Sequence, residues 1–398
     1  MKITWFRSLM VLAAIAVIAA LVVVAALLYL GKPVFGQMPQ GEQLSLIERS
    51  PNHVDGAFQN LVDTPFLTAG ATQLSIQIDN LRAEKGSPRP PHDIPAQKTD
   101  LKSLDVNEDL VVWLGHSSWY VQLAGQRILI DPVFSANAAP LPGFIEAFAG
   151  TSIYSADDLP RIDVLLITHD HFDHLDYPTI LALESMVERV VTGLGVGAHF
   201  ESWGYDAARI DELDWHDTIA LGDGLVLHAT PARHYSGRTF TRNKSLWVGF
   251  AMETPQRRIF FSGDSGYGAH FSAIGERHGP FDWVALDTGQ YDPRWANLHM
   301  NPEQAAQAAV DLGARALTPQ HVGRFTLAPH DWNDPFERLV EASKGRDYAL
   351  WTPTIGQPVH FDNRPQVFAA WWTPTADHDA TAGTSLAPAT APTQANTP

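Results

Sequence analysis

Cysteine is absent from all 398 residues, which excludes disulfides, thiolate nucleophiles and Cys-bound zinc. Basic residues are few: 27 Lys and Arg against 44 Asp and Glu leave a formal charge of −17. Nucleic-acid backbones are bound by clustered Lys and Arg that displace counterions, so no nucleic-acid partner is expected. No repeat of fixed period runs through the chain. What is present is 45% hydrophobic, with 12 Trp and 19 Phe, ample for a packed core. Length alone leaves the number of domains open.

One stretch carries no charge at all. Leu9 to Leu30 is 22 residues long, and at ~1.5 Å per residue it reaches across a ~30 Å hydrocarbon layer. A cleaved signal peptide has an apolar region of only about 7–15 residues and a small-x-small cleavage site, and neither fits here. The spacing therefore predicts a retained anchor over residues 1–31. Lys2 and Arg7 precede the span while only Lys32 follows closely, so the positive-inside rule sets the N-terminus in the cytoplasm and the body on the outer, periplasm-like side. Residues 32–100, rich in Pro, Gly and Asn, read as a stalk and irregular wrap. A catalytic domain is expected over 101–372, and the Ala/Thr/Pro segment 373–398 reads as a disordered tail.

Within the body, short β-branched runs end in turn residues: Leu110–Leu114, Ser118–Leu123, Arg127–Ile130, Ile162–Thr168, Arg189–Thr192, Leu225–Ala229, Leu246–Met252, Arg258–Ser262, Trp283–Asp287 and Ala316–Thr318. Pro302–Leu312 reads as a helix, with Asn301 as N-cap and Gly313 past its end. Strands in bulk with helices interspersed predict an α/β fold of two sheets sandwiched between helices.

The chemistry concentrates in His169-Asp170-His171-Phe172-Asp173-His174, four potential ligand side chains within six residues. The run follows the strand-like Ile162–Thr168, and Asp176, Tyr177 and Pro178 open the next helix, so the ligands sit on a strand-to-helix turn. His169 and His171 can bind one ion, while Asp173 and His174 reach a second ~3.5–4 Å away. Imidazole and carboxylate suit zinc better than calcium or magnesium, and Mn2+ and Fe2+ share this donor set. Six residues cannot close two coordination shells, so further His and Asp are required at later strand ends. His234, Asp264 and His321 stand there, with Asp264 the natural bridging carboxylate.

This pattern of His-x-His-x-Asp-His, a distant His, Gly263-Asp264-Ser265-Gly266 and a last His resembles the metallo-β-lactamase superfamily, whose fold is an αββα sandwich. Trp113–Ser118, Asp131-Pro132-Val133-Phe134, Phe261–Tyr267 and His321–Phe325 are similar to the N-acyl-phosphatidylethanolamine phospholipase D branch and its bacterial relatives. The likeness covers roughly Val111 to Phe325. It implies that His169, His171 and His234 hold one Zn2+, that Asp173, His174 and His321 hold the other, and that Asp264 bridges them. It also implies that His299, just before the Pro302 helix, lies beside the substrate, so that Asp173 and His299 are the catalytic candidates.

Two divalent ions lower the pKa of a shared water to about 7, and hydrolysis by hydroxide follows. The expected substrate is a phosphodiester or other ester, a lipid among them, with His299 binding phosphate or protonating the leaving group. A lactone or other ester hydrolase on the same site is the alternative, and a non-catalytic metal-binding envelope protein the second. Gly193–Gly197 reads as a turn rather than a nucleotide loop, because its spacing is wrong and no acidic partner follows. His116 reads as a turn residue, and Trp203, Trp215, Trp247, Trp283 and Trp295 as core.

Overall fold

A computed structural model describes residues 2–373, apart from 69, 73, 77, 79–86, 223 and 363. The expected disordered tail lies outside the described residues beyond 373, as does part of the 32–100 wrap. Helix α1 spans Lys2–Leu30. Its Leu9–Leu30 portion is long and apolar enough to cross a membrane, and none of it is buried. A 3-10 turn at Pro33–Phe35, a short helix α2 (Gly41–Ile47) and a two-stranded hairpin of β1 (His53–Val54) and β2 (Ala57–Phe58) follow.

Among the described residues, two seven-stranded sheets make up the body. The first contains, in chain order, β3 (Leu110–Gly115), β4 (Ser118–Leu123), β5 (Gln126–Ile130), β6 (Ile162–Ile167), β7 (Val187–Gly193) and β8 (Ile210–Leu213), with β16 (Pro358–His360) returning to pair with β3. The second contains β9 (Thr218–Gly222), β10 (Leu225–Pro231), β11 (Val248–Glu253), β12 (Arg258–Phe261), β13 (Trp283–Asp287), β14 (Ala316–Gln320) and β15 (Ala349–Leu350). The pairing is antiparallel through β16-β3-β4-β5 and parallel through β5-β6-β7-β8. The second sheet repeats that order, antiparallel through β9-β10-β11-β12 and parallel through β12-β13-β14-β15.

Alternation along the strands sorts their side chains between two faces. Trp113, Trp119, Val121 and Leu166 of the first sheet meet Phe250, Phe261, Trp283 and Ala285 of the second in the central core. Val112, Tyr120 and Leu165 point outward, where Ile180 and Leu183 of α3 (Tyr177–Leu183) and Phe200 of α4 (Gly197–Ser202) cover them. On the far side, Phe260, Val284 and Leu286 lie under α5 (His270–His278), α6 (Pro302–Asp311) and α7 (Asp334–Ser343). The order of layers is helix, sheet, sheet, helix: the αββα sandwich. The capping box of α6 forms as read, Asn301 accepting from the Gln304 amide at 2.9 Å while Gln304 accepts from that of Asn301 at 3.1 Å.

Flanking segments complete this core. Ile47, Phe58 and Ile94 from before the sheets and Trp371 and Trp372 from after them join the central layer. Of the five Trp read as core, Trp203, Trp215, Trp247 and Trp283 are buried, and Trp295 is half-buried.

The two sheets are also tied by polar contact: Trp119 on β4 donates its indole N–H to Gln320 on β14 at 3.2 Å. Trp119 is fully buried, so Trp119→Ala removes both that bond and a large volume from the inter-sheet layer. It should destabilise the protein by about 3–5 kcal/mol, read as a lowered urea midpoint of the full chain in detergent.

Candidate metal centre

The ends of the strands on one rim carry the polar residues. Beyond β6, the amide and hydroxyl of Thr168 donate to Asp131 at 2.8 and 2.6 Å, which fixes the first residue of the loop. The loop then turns tightly, with the amides of His174 and Leu175 donating to the carbonyl of His171 at 3.1 and 2.8 Å. His169, His171, Asp173 and His174 are thereby brought to one side, while Asp170 accepts from the Gly237 amide and the Ser245 hydroxyl on another. His234 follows β10, Asp264 follows β12 and His321 follows β14.

These side chains converge. His169, His171, His234 and Asp264 form one group able to hold a metal ion, and His116, Asp173, His174 and His321 a second. Asp264 lies between them: its Oδ2 is 3.7 Å from His169 Nε2, 3.6 Å from His234 Nε2, 3.1 Å from His174 Nε2 and 3.3 Å from His321 Nε2. Asp173 Oδ2 is 3.1 Å from His321 Nε2 and 3.5 Å from His174 Nε2. A third group joins Asp264, Asp287, His299 and His321.

Four of the imidazoles are aimed by their outer nitrogens. His174 Nδ1 is 2.8 Å from Asp131, His169 Nδ1 is 3.0 Å from the Thr168 hydroxyl, His234 Nδ1 is 3.1 Å from the Leu298 carbonyl, and His321 Nδ1 is 3.3 Å from Asp287. Each contact leaves Nε2 directed at the cluster, which is how metal-bound histidines are held. The donor set fits a metal on a second count. Among the described residues, His171 Nε2, His174 Nε2 and Asp264 Oδ1 are buried without a hydrogen-bond partner. Three imidazole nitrogens crowd together as well, His171 Nδ1 lying 2.9 Å from His169 Nε2 and 3.3 Å from His234 Nε2. Lone pairs at that separation repel unless a cation or a proton lies among them.

The electrostatics agree with this. Burial holds His169 and His234 well below the usual imidazole range and His171 at about 4, so these rings are neutral and their nitrogens able to bind a metal. Burial acts the same way on His174 and His321, but the nearby carboxylates, Asp264 foremost, outweigh it. They raise His174 well above its ordinary value and His321 to about 10. Burial would raise Asp173 and Asp264, yet His174 and its neighbours keep both well below the usual carboxylate range. The two carboxylates are thus matched by two protonated imidazoles, positive charge that a bound cation would supply in their place.

All seven residues expected as ligands come together, and His299 stands at the rim. Its Nδ1 is 2.9 Å from Asp287 Oδ2, and its ring stacks on His321 at 5.0 Å. His299 and His171 are half-buried, whereas the other ligand candidates are buried. Sequence reasoning missed three partners. His116, read as a turn residue, is fully buried with Nε2 2.9 Å from Asp173 Oδ2. Asp131 and Asp287 received no role. A signal was available: His116 and Asp131 stand directly after strands β3 and β5, the position that His321 occupies after β14, and Asp287 is the last residue of β13.

Asp131 anchors both the loop and His174. Asp131→Asn keeps the volume but removes the charge, and metal affinity should fall by roughly 10–100-fold. Competition with a chromogenic chelator measures the loss, and an unchanged circular dichroism spectrum shows that the fold survives.

The family described as the beta-lactamase superfamily domain matches residues 126–322. An uncharacterized protein of Mycobacterium tuberculosis is 38% identical over 329 residues, covering 82% of this chain and 88% of that protein. N-acyl-phosphatidylethanolamine-hydrolyzing phospholipase D 1 of Caenorhabditis elegans is 30% identical over 253 residues, 59% of this chain and 70% of that one. A metal-dependent hydrolase of Pyrobaculum aerophilum is 30% identical over 240 residues, covering 60% and 96% of the two chains. With its sandwich fold and its buried His and Asp cluster at one rim, the chain belongs to the metallo-β-lactamase superfamily and is one of its metal-dependent hydrolases.

Proposed function

We propose that the protein is a membrane-anchored phosphodiesterase of phospholipase D type that works with two zinc ions. The observation that carries the binuclear reading is the position of Asp264 Oδ2, within 3.1 to 3.7 Å of imidazoles from both ligand groups. His169, His171 and His234 would hold one ion, Asp173, His174 and His321 the other, with Asp264 shared. When bound, such a pair lowers the pKa of a water and neutralises the oxygens of the ester. The choice of a phosphodiester rests on the similarity to the Caenorhabditis elegans phospholipase.

The chain's own residues supply the rest. Asp287 engages His299 Nδ1, which leaves Nε2 free at the rim to bind a phosphate oxygen or to give a proton to the departing alkoxide. Asp287 also engages His321 with its other oxygen, so one carboxylate sets the spacing of a ligand and of the proton donor. Tyr235 packs on His171 with ring centroids 4.4 Å apart, and burial pushes its phenol up to about 12, so it presents a neutral ring to that ligand candidate. Lys2 and Arg7 before the span and the single Lys32 after it support an N-terminus in the cytoplasm and a body on the outer side.

The reading is tested with the full chain in detergent, assayed against bis(4-nitrophenyl) phosphate, glycerophospholipids and a lactone series. Phosphodiester turnover should vanish with a strong chelator and return with zinc. His169→Ala should lose more than the roughly 100-fold typical of an outer-shell change. Faster turnover of lactones than of any phosphodiester overturns the phosphodiesterase reading in favour of a lactonase. His299→Ala should lower kcat by about 10²–10⁴-fold, the range of a general acid, while bound metal by elemental analysis stays constant. A loss of metal in that variant would make His299 a ligand instead.

A further inference from the structure

The last turn of α1 is fastened to the body without an intervening linker. The Tyr29 hydroxyl donates to the carbonyl of Pro140 at 2.7 Å, and the Tyr29 ring meets Phe35 edge-on at 5.7 Å. Lys32 Nζ sits 4.3 Å from the centre of the Tyr29 ring. A Tyr and a Lys at the end of an apolar span occupy the headgroup level, the ring amphipathic and the ammonium reaching for water. Pro140 is therefore held at that level too.

Pro140 lies on a hairpin-like excursion after β5. The Ala147 amide donates to Ala136 and the Ala138 amide to Ile145, at 2.8 and 3.0 Å, and between them the chain reads Ala139-Pro140-Leu141-Pro142-Gly143-Phe144. No charged residue occurs from Ala136 to Ile145. At the tip, Leu141 is 43% exposed and Phe144 61% exposed. Single apolar residues on a surface are ordinary, but a charge-free tip bonded to the end of a membrane span has lipid within reach.

Beneath the tip lies a cavity of about 200 Å³. Val34, Pro140, Phe172 and Tyr177 are among its walls. Phe172 separates His171 from Asp173 in the ligand loop and packs edge-on against Phe35 at 6.0 Å. Through Phe172 the metal loop thus borders a space that the hairpin and Val34, in the turn after α1, also wall.

We propose that the tip Ala139–Phe144 is a second membrane contact, inserted in the leaflet from which α1 emerges, and that lipid reaches the metal loop along the cavity walled by Phe172. The proposal rests on α1 remaining in place as a span. It makes the bilayer surface part of the substrate site, with a membrane lipid as the molecule presented.

The absence of cysteine makes the test direct, because any introduced Cys is the sole attachment point for a nitroxide. The full chain is reconstituted in phosphatidylethanolamine and phosphatidylglycerol liposomes with a label on Phe144→Cys, Leu141→Cys, Val22→Cys in α1, or Val310→Cys on α6. Collision rates are then measured with oxygen, which partitions into lipid, and with a water-soluble nickel chelate. Labels at 141 and 144 should resemble the one at 22, favouring oxygen several-fold over the nickel chelate relative to the label at 310. If 141 and 144 match 310 while 22 reports lipid, the membrane contact is overturned and the anchor stands. If the label at 22 is also aqueous, the anchor reading fails and this proposal fails with it.

Discussion

A buried carboxylate surrounded by imidazoles is the constraint on which the rest of the structure depends. Asp264 is 3% exposed, and four histidine nitrogens stand within 3.7 Å of its Oδ2. Burying such groups costs several kcal/mol each unless every charge has its counterpart. A chain carries that cost only if the surrounding scaffold is stiff enough to keep the groups from relaxing apart. Two sheets packed face to face provide the stiffness, since the loops at their rim move only with the strands that end there. The αββα sandwich and the polar centre are in this sense a single construction: the apolar layer holds together what the rim would otherwise drive apart.

The repeated strand order explains why the rim is shared so evenly. In each sheet, three antiparallel pairings are followed by three parallel ones. Equivalent strands carry equivalent residues at the same end. β5 is followed by Asp131 and β12 by Asp264, while β3 is followed by His116 and β10 leads to His234. In the second sheet the carboxylate faces the ligand cluster, whereas in the first it stands behind His174 and steers it. The same position has a primary role in one half and a supporting role in the other.

Legibility in the sequence followed this division. The ten strands read from β-branched runs all form, because they are central and their burial imposes a pattern. Those not read are edges: Ile210–Leu213 carries Asp211 and Glu212, Thr218–Gly222 is partly exposed, and β15 and β16 are only two and three residues long. Helices α5 and α7 were not read either, the first because its Ser, Gly, Glu, Arg and His obscure any apolar stripe, the second because only Pro335, Phe336 and Leu339 form its buried face. At the centre, the ligand run was legible because four donors within six residues have no cheap alternative explanation. Asp131 and His116 were not, because their partners His174 and Asp173 lie 43 and 57 positions away and only the sheet pairing brings them near, and Asp287 was not, because its two imidazole partners lie 12 and 34 positions away.

The outer side of the ligand loop shows how α1 and the centre are joined. Arg238 is 2% exposed, and burial lowers its guanidinium to about 10, so it stays charged at neutral pH. It donates to the carbonyls of Asp170 and Leu175 at 2.8 and 2.7 Å, at both ends of the metal loop, and to the carbonyl of Val34 at 2.7 Å. Its guanidinium also stacks 4.1 Å over Phe172. The Gln37 amide donates to His199 Nδ1 at 3.0 Å, and His199 Nε2 is 3.3 Å from Asp170. Residues 33–37 therefore contact the loop's backbone through one cation and its only non-ligand carboxylate through one imidazole. The loop is gripped from within by Asp131 and Thr168 and from without by the segment that leaves α1. A displacement of that segment relative to the body must either break the Arg238 bonds to Val34, leaving buried guanidinium N–H groups without that acceptor, or drag the ligand loop along, and both are costly. The geometry of the metal centre is in this way coupled to the position of the helix end.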